Sequence, residues 1–217
     1  KAHLKNSPFD TDALEYLAWA YEKLNNYNEA NKQYELIIST ISNTKDKSRY
    51  YENIADNYTR MRNYHQATEY YTKSIELEPK STLALINRGY CYWKIGEHEL
   101  ALKDDLASYK IDPKEWPTVN NIAVCYYHKN DLKQAEKWIK KAVNMAPYES
   151  YPHFNYAILL RRYKDKLKHA KEQFRIAAIC EENNADILPI ELSEKDIVTA
   201  MFNFDSSRIT HIYTKAI

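Results

Sequence analysis

Four asparagines, Asn53, Asn87, Asn121 and Asn155, follow one another at a constant interval of 34 residues. A primary amide carries donors and an acceptor together, so one side chain can pair with both the N–H and the C=O of a residue in an extended peptide. A file of such groups would hold peptide backbone without demanding a particular sequence. The same recurrence fits a second reading, in which each amide bonds the backbone or a side chain of a neighbouring unit. The sequence leaves both open.

No catalytic constellation competes with this row. The seven histidines (His3, His65, His98, His128, His153, His169 and His211) form no helical pair at metal-ligand spacing with a third ligand. No nucleophile elbow or glycine-rich loop is present, and the chain holds only two glycines. The three cysteines fit neither a metal site nor a dense disulfide framework. Cys91 and Cys125 share a register in neighbouring units and read as buried, reduced packing residues, which favours a reducing compartment such as the cytoplasm. The expectation is a chain without enzyme activity, metal or cofactor.

The elements that must position the amides follow from the period. A 34-residue repeat marks an array of helix–turn–helix units. Such units stack into a solenoid whose concave surface binds other chains. Further columns keep the same register. Small residues stand at Ala18, Ala55, Gly89, Ala123 and Ala157, and bulky ones three places later at Tyr21, Tyr58, Tyr92, Tyr126 and Leu160. A second alanine column runs through Ala30, Ala67, Ala101, Ala135 and Ala170, and Pro79, Pro113 and Pro147 close three units. Small side chains let helices approach, the aromatic ring fills the space beside them, and proline ends the second helix because it lacks a backbone donor.

With these columns in view, the chain resembles the tetratricopeptide repeat (TPR) family. The resemblance implies an all-α, right-handed superhelix of about five helix–turn–helix units with a C-terminal capping helix. The units lie near 11–42, 48–80, 82–114, 116–148 and 150–183, after a flank over 1–10 and before a cap and tail over 184–217. Ser193 opens a candidate capping box with Asp196, ahead of Ile197, Ala200, Met201 and Phe204, and Asp205–Ile217 reads as a further helix. Spacing between the first two units is three residues longer than the period, so a longer turn is expected over 41–47. One extra residue sits near 163–168 in the fifth unit.

The family also implies that the first helix of each unit lines the groove and that the asparagine column faces into it, with Tyr16 in that place in the first unit. Other groove positions carry Glu15, Trp19, Glu52 and Asp56 at the N-terminal end. Towards the C-terminal end stand Tyr90, Trp93, Tyr127, Phe154 and Ile158, then Arg161 and Arg162. The groove therefore reads as acidic first, then aromatic and basic. Aromatic residues and arginine are frequent binding hot spots, although Trp93 and Tyr127 fit packing between units equally well. The columns that clamp a chaperone's C-terminal carboxylate in some family members lack the required lysine and asparagine here, so that specialisation is not expected.

The function this points to is a scaffold for protein–protein interaction. Asn53, Asn87, Asn121 and Asn155 would grip the backbone of a partner segment, while Tyr90, Trp93, Tyr127, Phe154 and Ile158 select apolar side chains and Arg161 and Arg162 attract acidic ones. Two other readings are a sensor region controlling an appended effector domain and an RNA-binding helical repeat. Balanced charge, with 31 basic and 30 acidic residues, and the acidic N-terminal groove disfavour RNA. No apolar stretch is long enough to span a membrane. Asp105 stands in a packing column filled elsewhere by Tyr34, Tyr71, Ile139 and Phe174, and is expected to find a hydrogen-bond partner such as a tyrosine.

Overall fold

A computed structural model describes residues 10–182. The N-terminal flank before Asp10, and the capping helix and tail expected over 184–217, lie outside those residues. Ten α-helices follow one another: α1 (Thr11–Lys23), α2 (Tyr27–Thr40), α3 (Thr44–Arg60), α4 (Tyr64–Leu77), α5 (Thr82–Lys94), α6 (His98–Ile111), α7 (Trp116–His128), α8 (Leu132–Met145), α9 (Ser150–Leu160) and α10 (Leu167–Glu182). Among the described residues there is no strand. The chain divides between Asp104 and Asp105, inside α6, into two compact units.

The hairpin turns explain why the repeat is so regular. The residues with positive φ are Asn25, Arg62, Gly96 and Asn130, one between the two helices of each of the first four repeats. Each turn closes with the following N–H donating to the carbonyl of the tyrosine column: Asn26 to Tyr21 at 2.8 Å, Asn63 to Tyr58 at 2.8 Å, Glu97 to Tyr92 at 2.8 Å and Asp131 to Tyr126 at 3.0 Å. With the companion bonds from Asn25 to Glu22 and from Asn130 to Tyr127, these are Schellman ends, which satisfy carbonyls the helix would leave orphaned. Only glycine adopts this left-handed geometry freely, and Gly96 alone supplies it.

The irregular places are resolved by helix. The additional residues between the first two repeats extend α3, which runs for 17 residues from Thr44 and is capped by Asn43, so the connection after α2 is short instead of the longer turn expected. In the fifth repeat the extra residue goes into a single 3₁₀ turn, Lys164–Lys166, before α10. Pro79, Pro113 and Pro147 each stand two residues beyond the end of α4, α6 and α8.

Within the first unit, Leu14, Ala18, Ala30, Tyr34, Ile37, Tyr50 and Ile54 form one buried cluster and Ala55, Ala67, Tyr71, Ala84 and Cys91 another. In the second unit, Val119, Ala123, Ala135, Ile139, Tyr156, Leu159 and Leu160 form the core. Some polar groups in these interiors are matched locally. Arg88 makes a paired bond to Asp104, Nε to Oδ2 and Nη2 to Oδ1, both at 2.8 Å, and its Nη1 donates to Thr72 at 2.9 Å. Asp105 is fully buried and accepts from the Cys125 thiol at 3.9 Å.

Candidate functional site

The candidate face of the first unit is built from the first helices of its repeats. Along α1, Asp12, Glu15, Tyr16 and Trp19 recur at helical spacing, so they share one side of the helix. Together with Tyr34 of α2 they line an open cleft of about 540 Å³. Tyr16 is 75% exposed and Trp19 55%, unusual for rings of this size. The acids here are only partly countered. Arg49 donates to Glu15 at 2.7 Å and Tyr34 to Glu22 at 3.0 Å, while among the described residues no ion pair or accepted hydrogen bond involves the Asp12 carboxylate.

On α3 and α5 the asparagine column meets a carboxylate. Asn87 donates from Nδ2 to Asp56 Oδ1 at 3.3 Å, and the Tyr71 hydroxyl donates to the same oxygen. Asn87 is buried and its own Oδ1 has no hydrogen-bond partner. Burial pushes the Asp56 carboxyl above its ordinary range, against the lowering influence of the Tyr71 hydroxyl, Arg60 and Asn87. Asn53, one repeat earlier, is half-buried, and its side chain makes no hydrogen bond among the described residues. The column that supplies Asp56 to Asn87 supplies Trp19 to Asn53, and an indole has no acceptor to offer.

Tyr90 is half-buried, edge-on to Tyr64 at 6.2 Å, with the Lys94 ammonium 5.1 Å from its ring. Trp93 is only 8% exposed and packs inward, as the packing reading of that residue required.

In the second unit Asn121 is fully buried. Asn155, half-buried on α9, donates from Nδ2 to Asn120 Oδ1 on α7 at 3.0 Å. Tyr127 and Phe154 are half-buried, and Phe154 meets Phe174 edge-on at 5.8 Å. Ile158 is buried, forming with Tyr127 and Asn155 part of the wall of a slot of about 20 Å³, room for little more than one water. Arg161 and Arg162 are exposed, and the Arg162 guanidinium lies 5.9 Å from the Tyr127 ring.

The amide row is therefore not uniform. Asn87 and Asn155 bond side chains of the preceding repeat, Asn121 is closed off from solvent, and Asn53 alone is both accessible and without a bond. Tyr16, Trp19 and Asp12 were not among the residues expected to touch a partner. Part of their signal was present in the sequence: the first repeat is the one that breaks the asparagine column, and it does so with an aromatic residue, Tyr16.

Among the described residues, no group of three or more His, Cys, Asp or Glu side chains could hold a metal ion, and no helix is long and apolar enough to cross a membrane.

Two sequence models described as tetratricopeptide repeat match the chain, one over residues 48–81 and 117–149 and the other over 12–40. Among curated proteins, the chain is similar to the small glutamine-rich tetratricopeptide repeat-containing protein 2 of Mycosarcoma maydis, 30% identical over 86 residues. It is also similar to a DnaJ homolog subfamily C member 7 homolog of Schizosaccharomyces pombe, 35% identical over 89 residues. Each match covers 40% of this chain, and the chain spans only 24% and 19% of those relatives' own lengths. Among solved structures, MamA from Desulfovibrio magneticus RS-1 aligns with a TM-score of 0.72 at 19% identity, covering 81% of this chain and 97% of that one. YrrB, described as a TPR protein with an unusual peptide-binding site, aligns with a TM-score of 0.67 at 14% identity, covering 92% of this chain and 95% of that one. Helical hairpins closed by one recurrent turn, small and aromatic columns packed as the period requires, and matched repeats at 12–40, 48–81 and 117–149 converge: those parts of the chain are tetratricopeptide repeats.

Proposed function

We propose that this chain is a protein-interaction scaffold in which the face formed by the first helices captures a segment of a partner protein. The observation that carries the reading is the exposure of Tyr16 and Trp19 around an open cleft, one repeat before Asn53, whose amide no group among the described residues engages. Exposed aromatic rings flanked by polar groups are the kind of surface that partner segments anchor on. Asn53 is suited to the backbone of that segment, because its donors and acceptor are both available.

Of the other residues expected to contact a partner, Tyr90, Tyr127, Phe154, Asn155, Arg161 and Arg162 keep enough exposure to do so. Asn87 and Trp93 in the first unit, and Asn121 and Ile158 in the second, are buried and are not available to a partner segment. YrrB, of the same fold, is described as having a peptide-binding site, which agrees with this use of the fold.

Panning a displayed peptide library against the full chain tests the reading. Peptides enriched on the wild type are expected to lose at least about tenfold in affinity on Trp19→Ala and on Asn53→Ala, with the helical circular dichroism unchanged. Enriched peptides indifferent to both substitutions would remove the face from consideration.

A further inference from the structure

We infer that the α1 face takes a cationic segment, a stretch of a partner in which lysine or arginine alternates with aliphatic residues. This rests on the segment-capture reading above and names the chemistry of what is captured. The cleft combines two exposed rings with Asp12 and Glu15, and ring faces attract cations as carboxylates do. One cation already uses a ring in this way: Lys23 Nζ lies 5.4 Å from the Trp19 ring. The positive groups nearby are committed. Arg49 is paired with Glu15, and Lys23 sits over Trp19. Among the described residues, no cation pairs with Asp12.

The acidic run continues along α3 with Glu52 and Asp56. Both are held from inside, Glu52 by the hydroxyls of Ser74 and Ser81 at 2.9 Å and Asp56 by Tyr71 and Asn87. They add field without offering a free hydrogen-bonding site. An acidic segment would meet like charges along α1, so the face discriminates by repulsion as well as attraction.

The test uses the full chain and two fluorescein-labelled peptides, one alternating lysine with leucine and one alternating glutamate with leucine, read by anisotropy. The lysine peptide is expected to bind, more weakly as salt rises, and the glutamate peptide to bind at least about tenfold less well. Asp12→Asn/Glu15→Gln is expected to weaken the lysine peptide about tenfold, and Trp19→Ala likewise. Glu69→Gln/Glu76→Gln, which removes two exposed acids from α4, is expected to change nothing.

Equal binding of both peptides, lost for both on Trp19→Ala, would overturn the cationic assignment and leave segment capture standing. Binding of neither, or binding indifferent to Trp19→Ala, would overturn both. Two further results would assign the face elsewhere. A wild-type dimer in sedimentation that Trp19→Ala dissociates would give it to a second copy. A Lys1→Ala/Lys5→Ala variant that binds the lysine peptide at least about tenfold tighter would give it to the chain's own first nine residues.

Discussion

Asn87 on α5 donates to Asp56 on α3 across 3.3 Å, joining two consecutive repeats through a part-buried amide–carboxylate contact. The Asn155–Asn120 bond at 3.0 Å joins a later pair of repeats in a similar way. A polar column that first suggests a partner's backbone is thus partly a fastening between repeats. Stability and binding should therefore separate along the same column.

Asn53→Ala is expected to leave the thermal midpoint nearly unchanged, because no internal bond is lost. Asn121→Ala is expected to destabilise by about 1–3 kcal/mol, the range for removing a buried hydrogen-bonding group. Urea denaturation of both variants checks this, and equal losses would show that the column acts alike in every repeat.

Asp56 should make stability depend on pH in an unusual direction. Its folded pKa lies above the ordinary 3.8, so between those values the folded state binds the proton more than the unfolded state. Stability then falls as pH rises through that window. Asp56→Asn keeps an acceptor for Tyr71 and Asn87 and cannot ionise. The variant-minus-wild-type difference in stability is expected to grow from about pH 3.8 upward and to level off above the folded pKa. A difference independent of pH would mean that the carboxyl is not strained by burial.

The Arg88–Asp104 pair is expected to behave as a buried ion pair, with its side chains 15% and 5% exposed. Asp104→Ala should cost about 3–5 kcal/mol, because it strands a buried guanidinium. Arg88→Met/Asp104→Leu should recover most of that loss, since no unpaired charge remains. A double variant as unstable as the single one would show that the pair contributes beyond its own neutralisation.

The hairpin turns give a paired prediction of opposite sign. Arg62 holds φ at 59° without glycine's freedom, so Arg62→Gly is expected to stabilise by up to about 1 kcal/mol. Gly96 holds φ at 86°, and a Cβ there would meet nothing within 4 Å. Gly96→Ala should therefore destabilise through backbone strain alone, by about 1 kcal/mol. Thermal melts of the two variants should shift in opposite directions.

Burial pushes the Cys91 thiol up to about 12, so it stays protonated and unreactive at neutral pH. Cys125 is buried as well, whereas Cys180 is only partly covered. Ellman's reagent is expected to label Cys180 in the native protein and all three cysteines after unfolding. Rapid native labelling of Cys91 would contradict the packing of α5.

The repeat, its helix type and the prolines that end three of its units were legible in the residues, because each depends on local geometry. Small and aromatic residues must recur wherever helices meet, and Pro79, Pro113 and Pro147 must follow helix ends. Asp105 in a packing column could be recognised as needing a partner, but Cys125 could not be named, since it arrives from another helix. The longer interval before the second repeat was visible as a number, yet only the folded chain shows it absorbed into α3 through the Asn43 cap. The same limit governed the amides. Sequence register put Asn53, Asn87, Asn121 and Asn155 in one column and therefore in equivalent backbone positions. Which amide stays accessible depends on what the preceding repeat presents across the helix–helix contact, as Asp56 does to Asn87 and Asn120 to Asn155. Period alone fixes backbone position, whereas solvent access and bonding arise from pairs of side chains distant in sequence, and those pairs exist only once the helices have packed.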